Sequence, residues 1–307
     1  MMLQALLADL RDVPGAEVTT TRDARLPPLS PAVSAISIVP SDDVWQRWEA
    51  SIAAADAVWP IAPESGGVLE RLSRLVIKHD KILLNSTPDA VAIAASKTAT
   101  AHTLSAAGVA TVPTHAAADW NGSGNAPWVA KPDDGVGCDD TRLFDGAEEL
   151  RGWLSANGRM QTHIVQPYLA GESASLSLLI HEGDICLLSC NRQLIDVRDG
   201  MFRYHGSILN DASLQNTPQH WQACEAVAKS VARTITGLDG YVGIDVLIQE
   251  GAIVVVEVNP RLTTSYAGLR RATECNPARL VVDMIYNKKF SWPWMLARNV
   301  VQISVNE

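Results

Sequence analysis

The sequence predicts an α/β (α+β) chain, with a Rossmann-like segment at its N-terminus and a longer mixed region built on hairpins. Three observations predict it. Over about residues 1–85, short apolar runs of strand length alternate with amphipathic helical stretches, the pattern of a parallel sheet with crossover helices. Further on, two apolar runs at 242–249 and 252–258 flank Glu250-Gly251, the pattern of a hairpin. Hydrophobic residues make up 47% and charged residues 19% of the 307, an ordinary globular composition that excludes a disordered chain.

Residues 1–11 read as a helix, with apolar Met2, Leu3, Leu6, Leu7 and Leu10. An α/β domain ordinarily opens on a strand, so a strand and its loop are expected upstream of Met1; the alternative is a domain that begins with its helix. A strand at 35–39 follows, then a helix at 41–54 capped by Ser41, a strand at 56–61, a turn at 62–67 and a helix at 68–78. A strand at 82–84 ends in Asn85-Ser86-Thr87-Pro88, where Thr87 and Pro88 start one helix running over 89–107. Strands are predicted at 128–131, 164–167, 174–181 and 184–194, with a Gly-containing loop at 132–137. Residues 195–217 read as a polar, irregular, functional loop. A helix at 218–236, the hairpin, a helix at 276–288 and a strand at 300–305 complete the chain. The resulting division is 1–85, 86–165 and 166–307.

The net charge of −9, from 25 basic and 34 acidic residues, argues against unspecific nucleic-acid binding. No run of 18 apolar residues predicts a membrane span, and no basic leader precedes a cleavage site. Cysteines 138, 186, 190, 224 and 275 lack zinc-site spacing and read as reduced thiols, which places the protein in the cytoplasm. No Ser-His-Asp or Cys-His signature is visible, and no G-x-G-x-x-G follows a strand.

Chemistry concentrates on the hairpin. Glu257 and Asn259 stand two apart, so their side chains share one face, and Asp245 stands across the turn. VGIDVLI is otherwise apolar, so a carboxylate at Asp245 is costly unless something neutralises it. Three converging oxygen ligands suit Mg²⁺, with Mn²⁺ as a substitute. Lys131 ends the strand WVAK before the 132–137 loop, an arrangement suited to phosphate, since backbone N–H groups line the loop and the ammonium offsets charge. Lys97 lies in ASKTAT, where a single Lys is ordinarily solvated. Gln166, Pro167, Tyr168 and Leu169 follow an apolar strand and suit an adenine against backbone groups, with Glu172 accepting from ribose hydroxyls; a plain strand-to-strand turn has the same pattern. Arg261 stands directly after Glu257-Val258-Asn259-Pro260, where a guanidinium stabilises charge developing in phosphoryl transfer. Arg192, Arg198 and Arg203 fall in or near the polar segment.

Taken in order, a Lys in a helix, a Lys before a Gly loop, a hinge followed by Glu, an Asp, and Glu-x-Asn-Pro-Arg resemble the ATP-grasp superfamily over about residues 86–265. The resemblance implies an ATP-grasp fold preceded by an incomplete pre-ATP-grasp domain. It implies ATP bound by Lys97, Lys131 and Glu172 with Gln166 to Leu169 at the adenine, and Mg²⁺ held by Asp245, Glu257 and Asn259. Lys131 and Arg261 are then the catalytic groups, Arg261 facing the phosphates or an acyl-phosphate. AVWPIAPESGGVLERL, AASKTAT, KPDDGVGC and EVNPRLTTSYAGLRRA further resemble the tyramine–glutamate ligase branch. That likeness implies ATP-dependent amide formation between a small-molecule carboxylate and an amine, with no nucleic-acid or membrane partner; a homodimer is compatible with it. Another amino-acid ligase, or a non-catalytic ATP-binding regulator, are the alternatives. Glu64 and Thr263 to Tyr266 are candidate substrate contacts by position, although an acid at Glu64 also suits a helix N-terminus.

Overall fold

The structure is a computed structural model that describes residues 1–29, 33–122, 127–214, 218–249, 252–286, 292–293 and 296–305. At the N-terminus, α1 (Met2–Arg11) is followed by β1 (Thr19–Asp23), β2 (Ser34–Ile38), α2 (Val44–Ala54), β3 (Ala57–Val58), α3 (Val68–Lys78) and β4 (Ile82–Leu83). Parallel pairing is present here, but as two separate two-stranded sheets, β1 with β2 and β3 with β4, where one sheet was expected. The polar run TTTRD of β1 carries no apolar signal and was not anticipated as a strand. The cap of α2 is Asp43, whose carboxylate accepts from the Trp45 and Gln46 amides, and not Ser41.

The stretch expected as one helix over 89–107 is two, α4 (Pro88–Ala95) and α5 (Lys97–Ala106). Ser96 breaks it. Its backbone is extended (φ −103, ψ 118), and its hydroxyl accepts from the Ala99 amide. That hydroxyl also donates to Asp133 Oδ2 at 2.7 Å, tying the break to the 132–137 loop. Lys97 is therefore the first residue of a helix and not a mid-helix position.

Then come β5 (His115–Ala116), β6 (Trp128–Pro132), β7 (Arg142–Phe144), α6 (Ala147–Leu154), α7 (Arg159–Thr162), β8 (His163–Pro167) and β9 (Glu172–His181). The remainder is β10 (Asp184–Arg198), β11 (Met201–Leu209), α8 (Pro218–Thr234), β12 (Gly240–Gln249), β13 (Ala252–Asn259), α9 (Tyr266–Thr273), α10 (Pro277–Val281) and β14 (Val301–Ser304). The expected turn at Glu250-Gly251 and the last residues of the 276–288 helix lie outside the described residues; within them that helix is α10 continued by a wider turn over Val282–Tyr286.

The segment 195–217, expected to be irregular, is mostly hairpin. β10 runs on to Arg198 and β11 returns antiparallel, with Arg198 opposite Met201. The cause is amphipathicity: Ile195, Val197, Phe202 and Tyr204 alternate with Asp196, Arg198 and Arg203, so one face is apolar and the other charged.

Among the described residues, ten antiparallel strands run in the order β13-β12-β9-β10-β11-β7-β6-β8-β5, with β14 added beside β11. Leu176, Leu178, Val242, Ile244 and Val255 pack on α4, α5 and α8. Leu179, Leu188, Tyr241 and Ile303 pack on α1, α9 and α10 on the opposite face. A separate core of Trp120, Trp128, Phe144, Leu150 and Val165 holds β6, β7, β8 and α6 together. The sheet thus joins a larger and a smaller jaw. They are connected by the 168–171 link between β8 and β9, and again by the β10–β11 tip. At that tip the Leu143 amide donates to Gly200 O at 2.7 Å and the Phe202 amide to Thr141 O at 3.2 Å. Gly200 has φ +74, and a Cβ there would stand 3.1 Å from Leu143 O, so this close approach favours glycine.

Candidate active site

The hairpin register sets Asp245 directly opposite Glu257, with a bulge immediately after Asp245 that aims the two carboxylates at one place. Asn259 completes the set: its Nδ2 donates to Asp245 Oδ2 at 3.4 Å and to Glu257 Oε1 at 3.5 Å. Lys97 reaches the same point from the start of α5, with Nζ 3.6 Å from Glu257 Oε2. It also donates to the carbonyls of Gly135 at 2.7 Å and Asp133 at 3.2 Å, which fixes it against the Gly-containing loop. Lys131, on β6, is 9% exposed.

Enclosure controls the charges. Burial, then the adjacent Glu257, push the Asp245 carboxyl well above its ordinary value. Burial raises Glu257 too, but the Lys97 and Lys131 ammoniums and hydrogen bonds from Asp245 and Asn259 outweigh it and hold that carboxyl below its ordinary value. Burial lowers the Lys131 ammonium, opposed by Glu257. Two carboxylates forced together beside two lysines form a site whose electrostatics depend on a bound cation and anion.

The donor set fits Mg²⁺ or Mn²⁺. It is two carboxylates and an amide, all oxygen donors once the Asn259 amide is turned about χ2. Among the described residues no group of three His, Cys, Asp or Glu could hold a metal ion, and Asn259 is the third polar side chain at this point. Its Oδ1 here accepts from Arg261 Nη2 at 3.4 Å.

A cavity of about 480 Å³ runs between the jaws, in the range of small-molecule sites. The structure brings the residues expected to bind nucleotide and metal to its wall: Lys97, Lys131, Gln166, Pro167, Tyr168, Leu169, Glu172, Asp245, Glu257, Asn259 and Arg261; of the candidate substrate contacts, Thr263, Thr264 and Ser265 line it and Tyr266 does not. Apolar walls come from Val112, Val129, Val246, Leu247 and Val256. Gln166 is held by donating to Thr114 Oγ1 at 2.8 Å. Glu172 accepts from Ser213 Oγ at 3.3 Å and lies 4.0 Å from Arg192, which pairs with Asp211 at 2.9 Å.

Sequence reasoning missed several wall residues. Gln193, Ile195, Val197, Phe202 and Tyr204 line the cavity from β10 and β11. Their period-two alternation was the available signal, masked by the charged residues between them. Arg198 pairs with Asp196 at 2.7 Å on the outer face.

Glu64 does not line the cavity but grips a residue that does. Arg261 Nε donates to Glu64 Oε2 at 2.5 Å. Glu64 is 5% exposed, and its Oε1 has no hydrogen-bond partner. Next to it, Ser65 Oγ donates to Asp134 O at 2.7 Å and the Gly66 amide to Asp134 Oδ2 at 3.1 Å. One N-terminal turn therefore holds both Arg261 and the Gly-containing loop. Glu64→Ala is expected to free the guanidinium and to lower the rate of ADP release about tenfold, since misplacement of about 1 Å has that scale of effect or more. Steady-state kinetics beside a thermal melt checks this: a lower melting temperature with an unchanged rate contradicts it.

The fold and cavity define a two-jawed protein whose cleft, lined by paired lysines and a carboxylate-bearing hairpin, suits an anionic ligand. Residues 94–265, more than half of the chain, match the ATP-grasp domain family, and residues 16–91 match the pre ATP-grasp 3 domain. The chain belongs to the ATP-grasp family, and ATP is the nucleotide its cleft is built for. It is 28% identical over 237 residues to a tyramine–L-glutamate ligase of Methanocaldococcus fervens, covering 77% of this chain and 68% of that one. It is 30% identical over 132 residues to a tyramine–L-glutamate ligase of Methanocaldococcus jannaschii, covering 43% of this chain and 39% of that one. The fold matches the biotin carboxylase domain of the Hydrogenobacter thermophilus 2-oxoglutarate carboxylase, a structure holding MgADP, with a TM-score of 0.77 at 15% identity, covering 96% of this chain and 70% of that one. It also matches an L-amino acid ligase from Bacillus licheniformis, with a TM-score of 0.74 at 16% identity, covering 94% and 73%. Among the described residues no helix is long and apolar enough to cross a membrane.

Proposed function

We propose that the chain is an ATP-dependent carboxylate–amine ligase that joins L-glutamate to tyramine, the pair named in its relatives. The observation that carries this reading is the convergence of Asp245, Glu257 and Asn259 with Lys97 and Lys131 on one cavity, beside Arg261. Asp245, Glu257 and Asn259 would hold Mg²⁺, which supplies charge neutralisation at the β- and γ-phosphates. Lys131 and Lys97 would bind the phosphates, the link at Gln166 to Leu169 the adenine, and Glu172 the ribose.

In this reading a substrate carboxylate oxygen attacks the γ-phosphorus and ADP leaves. The amine nitrogen then attacks the acyl carbon of the acyl-phosphate, and inorganic phosphate leaves as the C–N bond forms and the nitrogen loses a proton. Arg261 would stabilise the charge on the transferred phosphoryl group, and the remaining catalysis is positioning. No side-chain nucleophile is required. Residues 1–85 would form the pre-ATP-grasp domain, 86–165 the smaller jaw and 166–307 the larger jaw with the metal site. The free cysteines support a place in the cytoplasm.

The test is ADP release with Mg-ATP. Release requiring tyramine and L-glutamate together supports the reading, and γ-glutamyl or α-glutamyl amide in the product identifies the carboxyl used. Release with another acid–amine pair keeps the ligase and moves the substrates. ATP binding without release under any pair would make the protein a non-catalytic nucleotide binder.

A further inference from the structure

The β10–β11 hairpin has a ladder of side chains on the cavity that the nucleotide and metal leave unexplained. Ile195 stands opposite Tyr204, and Val197 opposite Phe202, as direct cross-strand pairs. All four line the cavity. The opposite face of the hairpin is charged, with Asp196 bonded to His205 at 3.0 Å and to Arg198 at 2.7 Å. An apolar face turned inward and partly exposed, with Val197 at 39%, is what a pocket for an apolar body looks like before its ligand covers it.

The ladder starts at the reacting centre. Gln193, on the same strand, lines the cavity with Asp245. The Tyr204 hydroxyl bonds Ser207 Oγ at 2.7 Å, and Tyr204 shares the cavity wall with Thr264, three residues beyond Arg261. From Gln193 to Val197 the strand advances about 13 Å at ~3.3 Å per residue. That length spans an aryl ring and a two-carbon arm extending from the metal-ligand cluster.

The chemistry of the ladder selects between the two substrates. It carries no cation, and the nearby Arg192 is engaged by Asp211. A dicarboxylic acid requires positive partners, whereas an arylalkylamine requires an apolar wall and an edge or face for its ring. The adenine has its own apolar walls at Val112, Val129 and Leu247, on β6, β12 and the segment before β5. We infer that Ile195, Val197, Phe202 and Tyr204 form the subsite for the aryl body of the amine, and that Phe202 and Val197 determine specificity for an aromatic over a small polar amine. The inference rests on the ligase reading and deepens it by assigning the amine's place.

The experiment measures amine binding directly, by calorimetric titration of tyramine and of ethanolamine into the full chain with Mg-ADP. The same preparations are assayed for ADP release with Mg-ATP and L-glutamate. Wild-type protein is expected to bind tyramine at least a hundredfold more tightly than ethanolamine. Phe202→Ala is expected to weaken tyramine binding at least tenfold and to raise its KM by a similar factor, with a smaller change in the KM for ATP. Val197→Ser provides the same readout at the paired position should Phe202→Ala fail to fold. Unchanged tyramine affinity and KM in both variants would overturn the inference while leaving the ligase standing. So would ethanolamine binding as tightly as tyramine, or no tyramine binding at millimolar concentration. Ladder-dependent tyramine binding without ADP release would support the subsite and remove the ligase reading.

Discussion

Glu257→Gln is expected to lower ligase turnover by at least about a thousandfold, roughly 4 kcal/mol in the transition state, while the protein stays folded. Glu257 is where the charged groups of the site converge: opposite Asp245 on the hairpin, 3.5 Å from the Asn259 amide and 3.6 Å from Lys97. An amide keeps the shape but removes the negative charge that offsets Lys97 and Lys131 and that a divalent cation needs. It also relieves the repulsion that raises Asp245. The melting temperature without nucleotide should therefore hold within a few degrees, while stabilisation by Mg-ATP disappears. The measurements are ADP release and thermal melts with and without Mg-ATP. Retained turnover in a folded variant would remove Glu257 from the metal site.

Lys131→Met is expected to weaken Mg-ATP binding about a hundredfold or more, close to 2.7 kcal/mol. The side chain sits on β6 at 9% exposure, and burial already disfavours its charged form. The neighbouring carboxylates, chiefly Glu257, oppose that effect. Methionine keeps the unbranched apolar stem of lysine, one atom shorter, and lacks the charge. At a nucleotide concentration of 100 times the wild-type Kd, ligand stabilisation of about 2.7 kcal/mol should shrink to about 0.4 kcal/mol. Equal shifts in melting temperature for the two proteins would show that Lys131 does not touch the phosphates.

The hairpin that carries the carboxylates was legible because a charged residue inside VGIDVLI has no reason to be there without a partner. Antiparallel pairing then brings Asp245 opposite Glu257 whatever surrounds it. Lys97 was legible as a residue but not in its placement. Its position depends on Ser96 bonding Asp133, a contact between segments far apart in sequence that no local propensity records. The β10–β11 extension was missed because Asp196, Arg198, Asp199 and Arg203 dominate its composition, although one face alternates apolar residues. Strands β5 and β7 are two and three residues long, held by register with longer neighbours, and too short to leave a periodic trace. Glu64 read equally as a substrate contact and as an acid at a helix start; only tertiary packing shows it buried against Arg261.

Two of the links that enclose the cleft differ in kind. On one side the jaws are joined by continuous main chain at residues 168–171, which no motion can part. On the other they are joined by the edge pairing of Met201 with Arg142 and the two hydrogen bonds donated by the Leu143 and Phe202 amides. Any widening of the cleft on that side must undo those bonds, and nothing covalent. The enclosure therefore works as a bracelet with a permanent joint and a clasp, and the clasp sits at the end of the same hairpin whose inner face lines the cavity.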